Sequence, residues 1–442
     1  MHKSKLSRKL SGYARTLCIN KETKQTTKTL IVRASDEEVS KNFCSATQIE
    51  TFINAVKNAR NDSRILMEIP SSEQNASVLS LKFLNLDPSA NVKELFLEPR
   101  SIILAGGTMQ PTSDLTDQLF TPLEIDENKI KLFSFDHVIP SANVLPIALS
   151  CGPSNRRLEF TFETRRNPQI IDDLSRLIIN LCNIVPGGIV CFFPSYDYER
   201  LIFEQLKTSG LLSKIETKKN FFREPKESSQ LASLLEDYSR CIKLTTNRGF
   251  TLNKANSVTG AVLFAVVGGK LSEGINFSDD LGRCVVMVGM PYAFKDNPEL
   301  LERMKFMDNA HTKNNNSVPP VVNNNSISQN YYDNLCWKSI NQTIGRSIRH
   351  AKDYAAILLV DSRYAKKLNS TRKFLPNWIE KHLKTTPLKT IAGRRISQRW
   401  MYDDGCRLLN GRCCRQRNNG QMLFGRQNGR NGYAGRRQLR QV

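Results

Sequence analysis

Gln342, Arg346 and Arg349 are the residues of this 442-residue chain whose types and spacing point most directly to chemistry. A guanidinium stays charged and offers a planar fork of donors that matches phosphate oxygens. Two such forks near an amide can bind an anion or stabilise charge as it develops on one. Gly345, beside Arg346, lets a ligand or another backbone approach closely. The same spacing also suits a solvated charged face, so spacing by itself leaves both readings open. A second loop, GGKLSEGINF at 268–277, follows an apolar run. It reads either as a generic turn or as a loop that sets Glu273 and Asn276 beside a ligand. Its Gly-Gly-Lys is not a phosphate-cradling P-loop. That motif needs glycine where Phe264 stands and Ser or Thr where Leu271 stands.

These residues need elements to position them. Wound at about 100° per residue, residues 331–350 place Cys336, Ile340, Ile344 and Ile348 in one apolar stripe. Gln342, Arg346 and Arg349 fall on the opposite side, and only Leu335 breaks the pattern. The spacing therefore predicts one buried helix over these twenty residues, presenting two arginines. Ala355–Val360 follows as a continuous apolar run, the mark of a strand buried on both faces.

Similar strands are predicted at 64–69, 78–86, 189–193, 261–267 and 284–288. RSIILAGGT at 100–108 reads as a further short strand running into a Gly-Gly turn. Amphipathic helices are predicted at 47–59, 167–183, 196–208 and 228–243. Apolar strands alternating with such helices argue an α/β fold with a mostly parallel sheet, covered on both sides. In that class ligands gather at the carboxyl ends of the strands.

Composition narrows the function. Apolar residues make up 40% and charged residues 24%, which suits a globular protein. No apolar run reaches the roughly eighteen residues that span a bilayer, and the basic start lacks the apolar core of a signal peptide. The chain reads as intracellular, with no membrane partner. Its net charge of +22 favours polyanions, nucleic acid first. Residues 393–442 hold twelve arginines, no lysine and two aspartates, about +10 of that excess. This end is expected to be disordered. NNNSVPPVVNNN at 314–325 reads as a flexible surface insertion. Eleven cysteines are scattered without a CxxC pair, which argues reduced thiols and no metal site.

Four stretches carry a resemblance: GGTMQP at 106–111, FFPSYDY at 192–198, GGKLSEGINFSDDLGRCVVMVGMP at 268–291 and QTIGRSIRH at 342–350. In that order they resemble motifs III, IV, V and VI of superfamily 2 DEAH-type DNA helicases, in the iron–sulfur branch that is XPD- and FANCJ-like. SRKLSGY at 7–13 and DHVIPSANVLP at 136–146 are similar to that branch as well. The resemblance covers about residues 1–385 and is densest over 259–364.

It implies RecA-like architecture. Residues 1–90 would be the end of an arch insertion and 91–140 the last part of lobe one. Residues 141–390 would be lobe two with its Asn-rich insertion at 312–328, and 391–442 a disordered Arg/Gly/Asn-rich tail. It implies ATP with Mg as cofactor, an iron–sulfur cluster in the full-length family, and single-stranded or forked DNA as partner. Replication and cohesion proteins would be further partners, in a nuclear role in chromosome cohesion and repair. Arg346 and Arg349 would act as arginine fingers on the γ-phosphoryl, with Gln342, Gly345, Glu273 and Gly274 near the nucleotide. Gly107 and Thr108 would couple the lobes. Ser195, Tyr196 and, more weakly, Lys270 would contact the DNA backbone.

The departures are equally definite. The chain has no GxxxxGK[ST], no Asp-Glu-Ala-His after an apolar strand, and no set of four close cysteines. Phosphoryl transfer needs a magnesium-bound cradle as well as fingers. The expectation is a chain that belongs to an ATP-dependent DNA helicase but does not hydrolyse ATP alone. The competing expectation is a non-catalytic nucleic-acid-binding module. An RNA-directed helicase is a third.

Overall fold

The computed structural model describes residues 36–68, 80–247, 258–272, 275–314, 326–366 and 368–386, and divides them into two compact units. The smaller contains helix α1 (Asp36–Lys57), strands β1 (Ser63–Glu68) and β2 (Ser80–Asn85), and helix α2 (Ser89–Leu97). β1 and β2 form an antiparallel ribbon in the register Ile65↔Phe83. Arg64 and Lys82 of the ribbon pair with Glu302 and Glu299 on a helix at Pro298–Asn314.

The larger unit holds a seven-stranded sheet in which every pairing is parallel. Its strands and main helices follow in the order β3 (Val144–Leu149), α3 (Pro168–Ile184), β4 (Gly187–Phe193), α4 (Tyr196–Thr208), α5 (Leu211–Glu216), β5 (Asn220–Arg223), α6 (Leu231–Asn247), β6 (Gly260–Val266), β7 (Cys284–Val288), α7 (Ile327–Ile344, of which this unit holds the residues from Asp333 on), β8 (Ala355–Val360) and β9 (Lys384–Thr386). Across the sheet the order is β5-β6-β4-β7-β8-β3-β9.

Side chains of a strand alternate between faces, and the two cores show it. Val190, Phe192, Val285, Met287, Ile357 and Leu359 pack with α6 and α7 on one face. Ile189, Cys191, Phe193, Val286, Val288, Leu358 and Val360 pack with α3, α4 and α5 on the other. Both faces being covered, β4, β6 and β7 are buried throughout. That is why these strands read as unbroken apolar runs. The start of the sheet is unusually tight. Gly187 pairs with Gly260, and a Cβ on Gly260 would stand 2.0 Å from the Gly187 carbonyl oxygen. With φ at +143° there as well, only glycine fits.

Lys219 is fully buried at this foot of the sheet. Its Nζ donates to the carbonyls of Gly187 (2.8 Å) and Thr259 (3.2 Å). Burial pushes its pKa from 10.5 down to about 8. The unfolded chain therefore holds this proton up to about pH 10.4, while the folded chain gives it up above about 8. Stability from this group rises with pH through that window. The buried thiols of Cys182 and Cys284, pushed up to about 12, stay neutral there. The stability difference between wild type and Lys219→Met should grow in favour of wild type by about 2 kcal/mol between pH 8 and 10. Urea titrations at stepped pH check this, and parallel curves would refute it.

Two expectations need correction. The run at 101–106 is not a strand, and Ile103 is 89% exposed. A parallel strand needs neighbours for its ladder, and no described residue pairs with this run. The helix predicted over 331–350 stops at Ile344. Gly345 ends it, so Arg346 and Arg349 sit on the following loop. The apolar stripe itself holds: Cys336, Ile340 and Ile344 are fully buried and Ile348 nearly so. The Asn-rich insertion at 315–325, the N-terminal match at 7–13 and the arginine-rich end lie outside the described residues.

Candidate nucleotide and nucleic-acid site

All described residues singled out for chemistry lie in the larger unit, and they fall into two groups. The first is the loop after α7. Ser347 and Ile348 are buried and anchor it, with the Ser347 hydroxyl donating to the Ile344 carbonyl at 2.9 Å. The Arg346 carbonyl accepts from the Phe277 N–H at 3.0 Å, which fastens this loop to the 268–277 segment. The Arg346 Nε is buried and has no hydrogen-bond partner among the described residues. Arg349 is exposed and donates through Nη2 to Asn276 Oδ1. Gln342 is exposed on the last turn of α7. Glu273 and Gly274 lie outside the described residues.

Gly107 and Thr108 are exposed, yet the stretch they belong to is held against α7. A Cβ on Gly345 would come within 3.2 Å of the Asn341 carbonyl and 3.9 Å of Thr108 Oγ1. Asn341 is fully buried, and its Nδ2 donates to the carbonyls of Gln110 (3.1 Å) and Phe374 (2.7 Å). Asn334 Nδ2 donates to Ser113 Oγ at 3.1 Å. The two asparagines thus bind GGTMQP, through Gln110, and Ser113 just after it to the helix that ends at the arginine loop. The sequence reading missed both, because each stood as a polar residue in a helix scored for its apolar stripe.

Behind the loop stands an ion-pair network that was also missed. Asp353 is fully buried and accepts from Arg283 Nη1 at 2.8 Å and from the Tyr354 N–H at 2.8 Å. Its other oxygen accepts from the Asp279 N–H at 3.3 Å, and Asp279 Oδ1 meets His350 Nε2 at 2.9 Å. Asp279, His350 and Asp353 bring donor atoms within 4.8 Å of one another. Arg283 already claims the Asp353 carboxylate, so this is an ion pair that orders the segments on either side of Arg349.

The second group surrounds a buried carboxylate, Glu224, just after β5. It accepts from the N–H groups of Val266 (2.8 Å) and Leu271 (3.2 Å) and from the Tyr196 hydroxyl (3.1 Å). One side chain therefore ties together the exits of β4, β5 and β6. Burial, then the Glu224 charge, push the Tyr196 phenol up to about 12. It stays a protonated donor at neutral pH. Ser195 caps α4, accepting from the Tyr198 N–H at 3.2 Å. Lys270 donates to the Lys226 carbonyl, next to the same edge. Glu224 lay in the sequence as Arg-Glu-Pro after a four-residue strand too short to notice.

The residues present fit part of a nucleotide pocket. An orphaned guanidine nitrogen and an exposed second arginine suit phosphate oxygens, whereas the sequence holds neither motif that would grip magnesium and the β-phosphate. The described cysteines at 151, 182, 191, 241, 284 and 336 are free thiols.

Residues 178–382 match the family model of the helicase C-terminal domain. Among curated relatives, ATP-dependent DNA helicase DDX11 of Danio rerio is 46% identical over 330 residues, covering 75% of this chain and 35% of that protein. DDX11 of Mus musculus is 43% identical, covering 75% of this chain and 34% of its own length. ATP-dependent DNA helicase chl1 of Schizosaccharomyces pombe is 33% identical over 351 residues, 79% of this chain and 38% of that protein. The chain spans about a third of the length of these relatives. A solved XPD helicase aligns over 86% of this chain and 61% of its own, with a TM-score of 0.47 and 16% identity.

Proposed function

We propose that this chain supplies the second lobe of an ATP-dependent DNA helicase that acts in the nucleus in chromosome cohesion and repair. Residues 141–390 are that lobe, 91–140 end the first lobe and 1–90 end an arch. Arg346 and Arg349 stabilise charge developing on the γ-phosphoryl, with Gln342 and Gly345 beside the nucleotide. Glu273 and Gly274 belong to the same nucleotide-facing loop. Gly107 and Thr108 couple nucleotide state to lobe movement. Ser195, Tyr196 and Lys270 contact the DNA backbone. The observation that supports this most is the Arg346 loop: a buried guanidine nitrogen without a partner, fastened to the 268–277 segment and next to Thr108.

The second reading, a nucleic-acid-binding module without turnover, is favoured by the missing phosphate cradle. Both readings require single-stranded DNA binding that weakens steeply with salt, since lysine and arginine contacts release counterions. Fluorescence anisotropy of the full chain across a salt series measures it. Lys270→Ala is expected to weaken binding about equally for all sequences and to reduce the salt slope by about one. Binding that ignores salt would sink both readings. An ATPase assay with single-stranded DNA separates them from an autonomous enzyme: no turnover is expected from the chain alone. Turnover that Arg349→Ala abolishes would show that the chain completes its own pocket.

A further inference from the structure

The residues after Ile130 carry a pair of aromatic rings that no part of the proposed site uses. Phe133 is 75% exposed and Phe135 83% exposed. Their ring planes lie 6° from parallel with centroids 6.4 Å apart. A planar base in a stack occupies about 3.4 Å, so a ring-base-ring sandwich needs about 6.8 Å between the outer planes. Centroids 6.4 Å apart set an upper limit on the separation of the planes, just under that requirement.

Every residue from Lys131 to Asp136 is exposed, Leu132 at 69% included, and a few polar contacts hold the segment in place. Ser134 Oγ accepts from Asn377 Nδ2 at 2.9 Å, and both oxygens of Asp136 accept from Lys381 Nζ at 2.8 Å. His137 then packs on Trp378 with centroids 5.0 Å apart, and Ile139 enters the core. These contacts fasten the segment to the 377–381 region. Lys131, Phe133 and Phe135, two residues apart in turn, are left exposed. The carboxylate of the segment, Asp136, is paired with Lys381. A cation beside two rings, on a chain of net charge +22, suits a single strand whose bases can leave the stack.

We propose that Phe133 and Phe135 form an aromatic slot that takes one base of a single-stranded nucleic acid, with Lys131 on the adjoining phosphate. This rests on the single-strand binding argued above and adds a contact outside the helicase motifs. The test is anisotropy of the full chain with fluorescein-labelled oligothymidylate. The double variant Phe133→Leu/Phe135→Leu keeps apolar bulk but removes the π-faces, and affinity should fall about tenfold or more. Phe133→Trp/Phe135→Trp should bind at least as well as wild type. An oligonucleotide of abasic sites should bind wild type and the leucine variant alike. Unchanged oligothymidylate affinity in the leucine variant overturns the slot while leaving single-strand binding intact. A wild-type chain that binds no oligonucleotide overturns the reading beneath it. Wild type that self-associates while the leucine variant is monomeric with unchanged affinity marks the rings as a contact between copies, and also overturns the slot. Both rings are solvent-exposed, so thermal melts of the variants should match wild type.

Discussion

Replacing Asp353 with alanine is expected to destabilise the larger unit by about 3–5 kcal/mol, the usual cost of breaking a buried ion pair from one side. Asp353 is fully buried, and the Arg283 side chain is only 8% exposed. Removing the carboxylate leaves a guanidinium with little access to water. It also leaves the N–H groups of Tyr354 and Asp279 without their acceptor. Two neighbours soften the loss: Asp280 Oδ1 stays 3.0 Å from Arg283 Nε, and the Tyr354 ring lies 3.7 Å beneath the guanidinium. Asp353→Asn keeps one acceptor oxygen, loses the charge and the second acceptor that serves the Asp279 N–H, and should cost less than alanine. Urea unfolding of the full chain measures both. An alanine variant within 1 kcal/mol of wild type, a threshold well under the expected cost, would show that Arg283 does not depend on this partner.

The second large effect is expected at Glu224. Its carboxylate serves two backbone N–H groups and a phenol in a place that water barely reaches. Each buried donor left unmet costs about 1–3 kcal/mol, so Glu224→Ala should lose about 3 kcal/mol or more. Glu224→Gln keeps one acceptor oxygen and should lose about 1 kcal/mol. The functional effect is the sharper readout. With Glu224 gone, only the backbone ladder joins the exits of β4, β5 and β6, the Tyr196 hydroxyl and the Leu271 N–H lose their shared acceptor, and single-strand affinity should fall beyond what Lys270→Ala produces. Destabilisation with affinity intact would mean that the edge supports the sheet without serving DNA.

Much of this architecture was readable in the residues. β4, β6, β7 and β8 are buried on both faces, so their sequences carry no polar alternation and announce themselves as runs. The four-residue recurrence of Cys336, Ile340 and Ile344 marked the face that α7 buries. What escaped notice has physical causes. β5 is four residues long and pairs only with β6, so it has little apolar signal. β3 contains Pro146, which argues against a strand until the neighbours are known. At the arginine loop, Gly345 was read for the room it gives a neighbour, when it also ends the helix. The residues that order the site were the least legible. Glu224, Asn341 and Asp353 act by accepting from or donating to groups distant in sequence, and no local spacing records that.

The outermost strands of the seven-stranded sheet have a consequence of their own. β9 covers β3 over only three residues, Lys384–Thr386, and β5 closes the other side with Asn220 and Arg223 at its ends. A long flat margin of unpaired amides invites a second chain to extend the ladder. Here β5 is four residues long and carries a polar residue at each end, so on that side a second chain finds little ladder to extend.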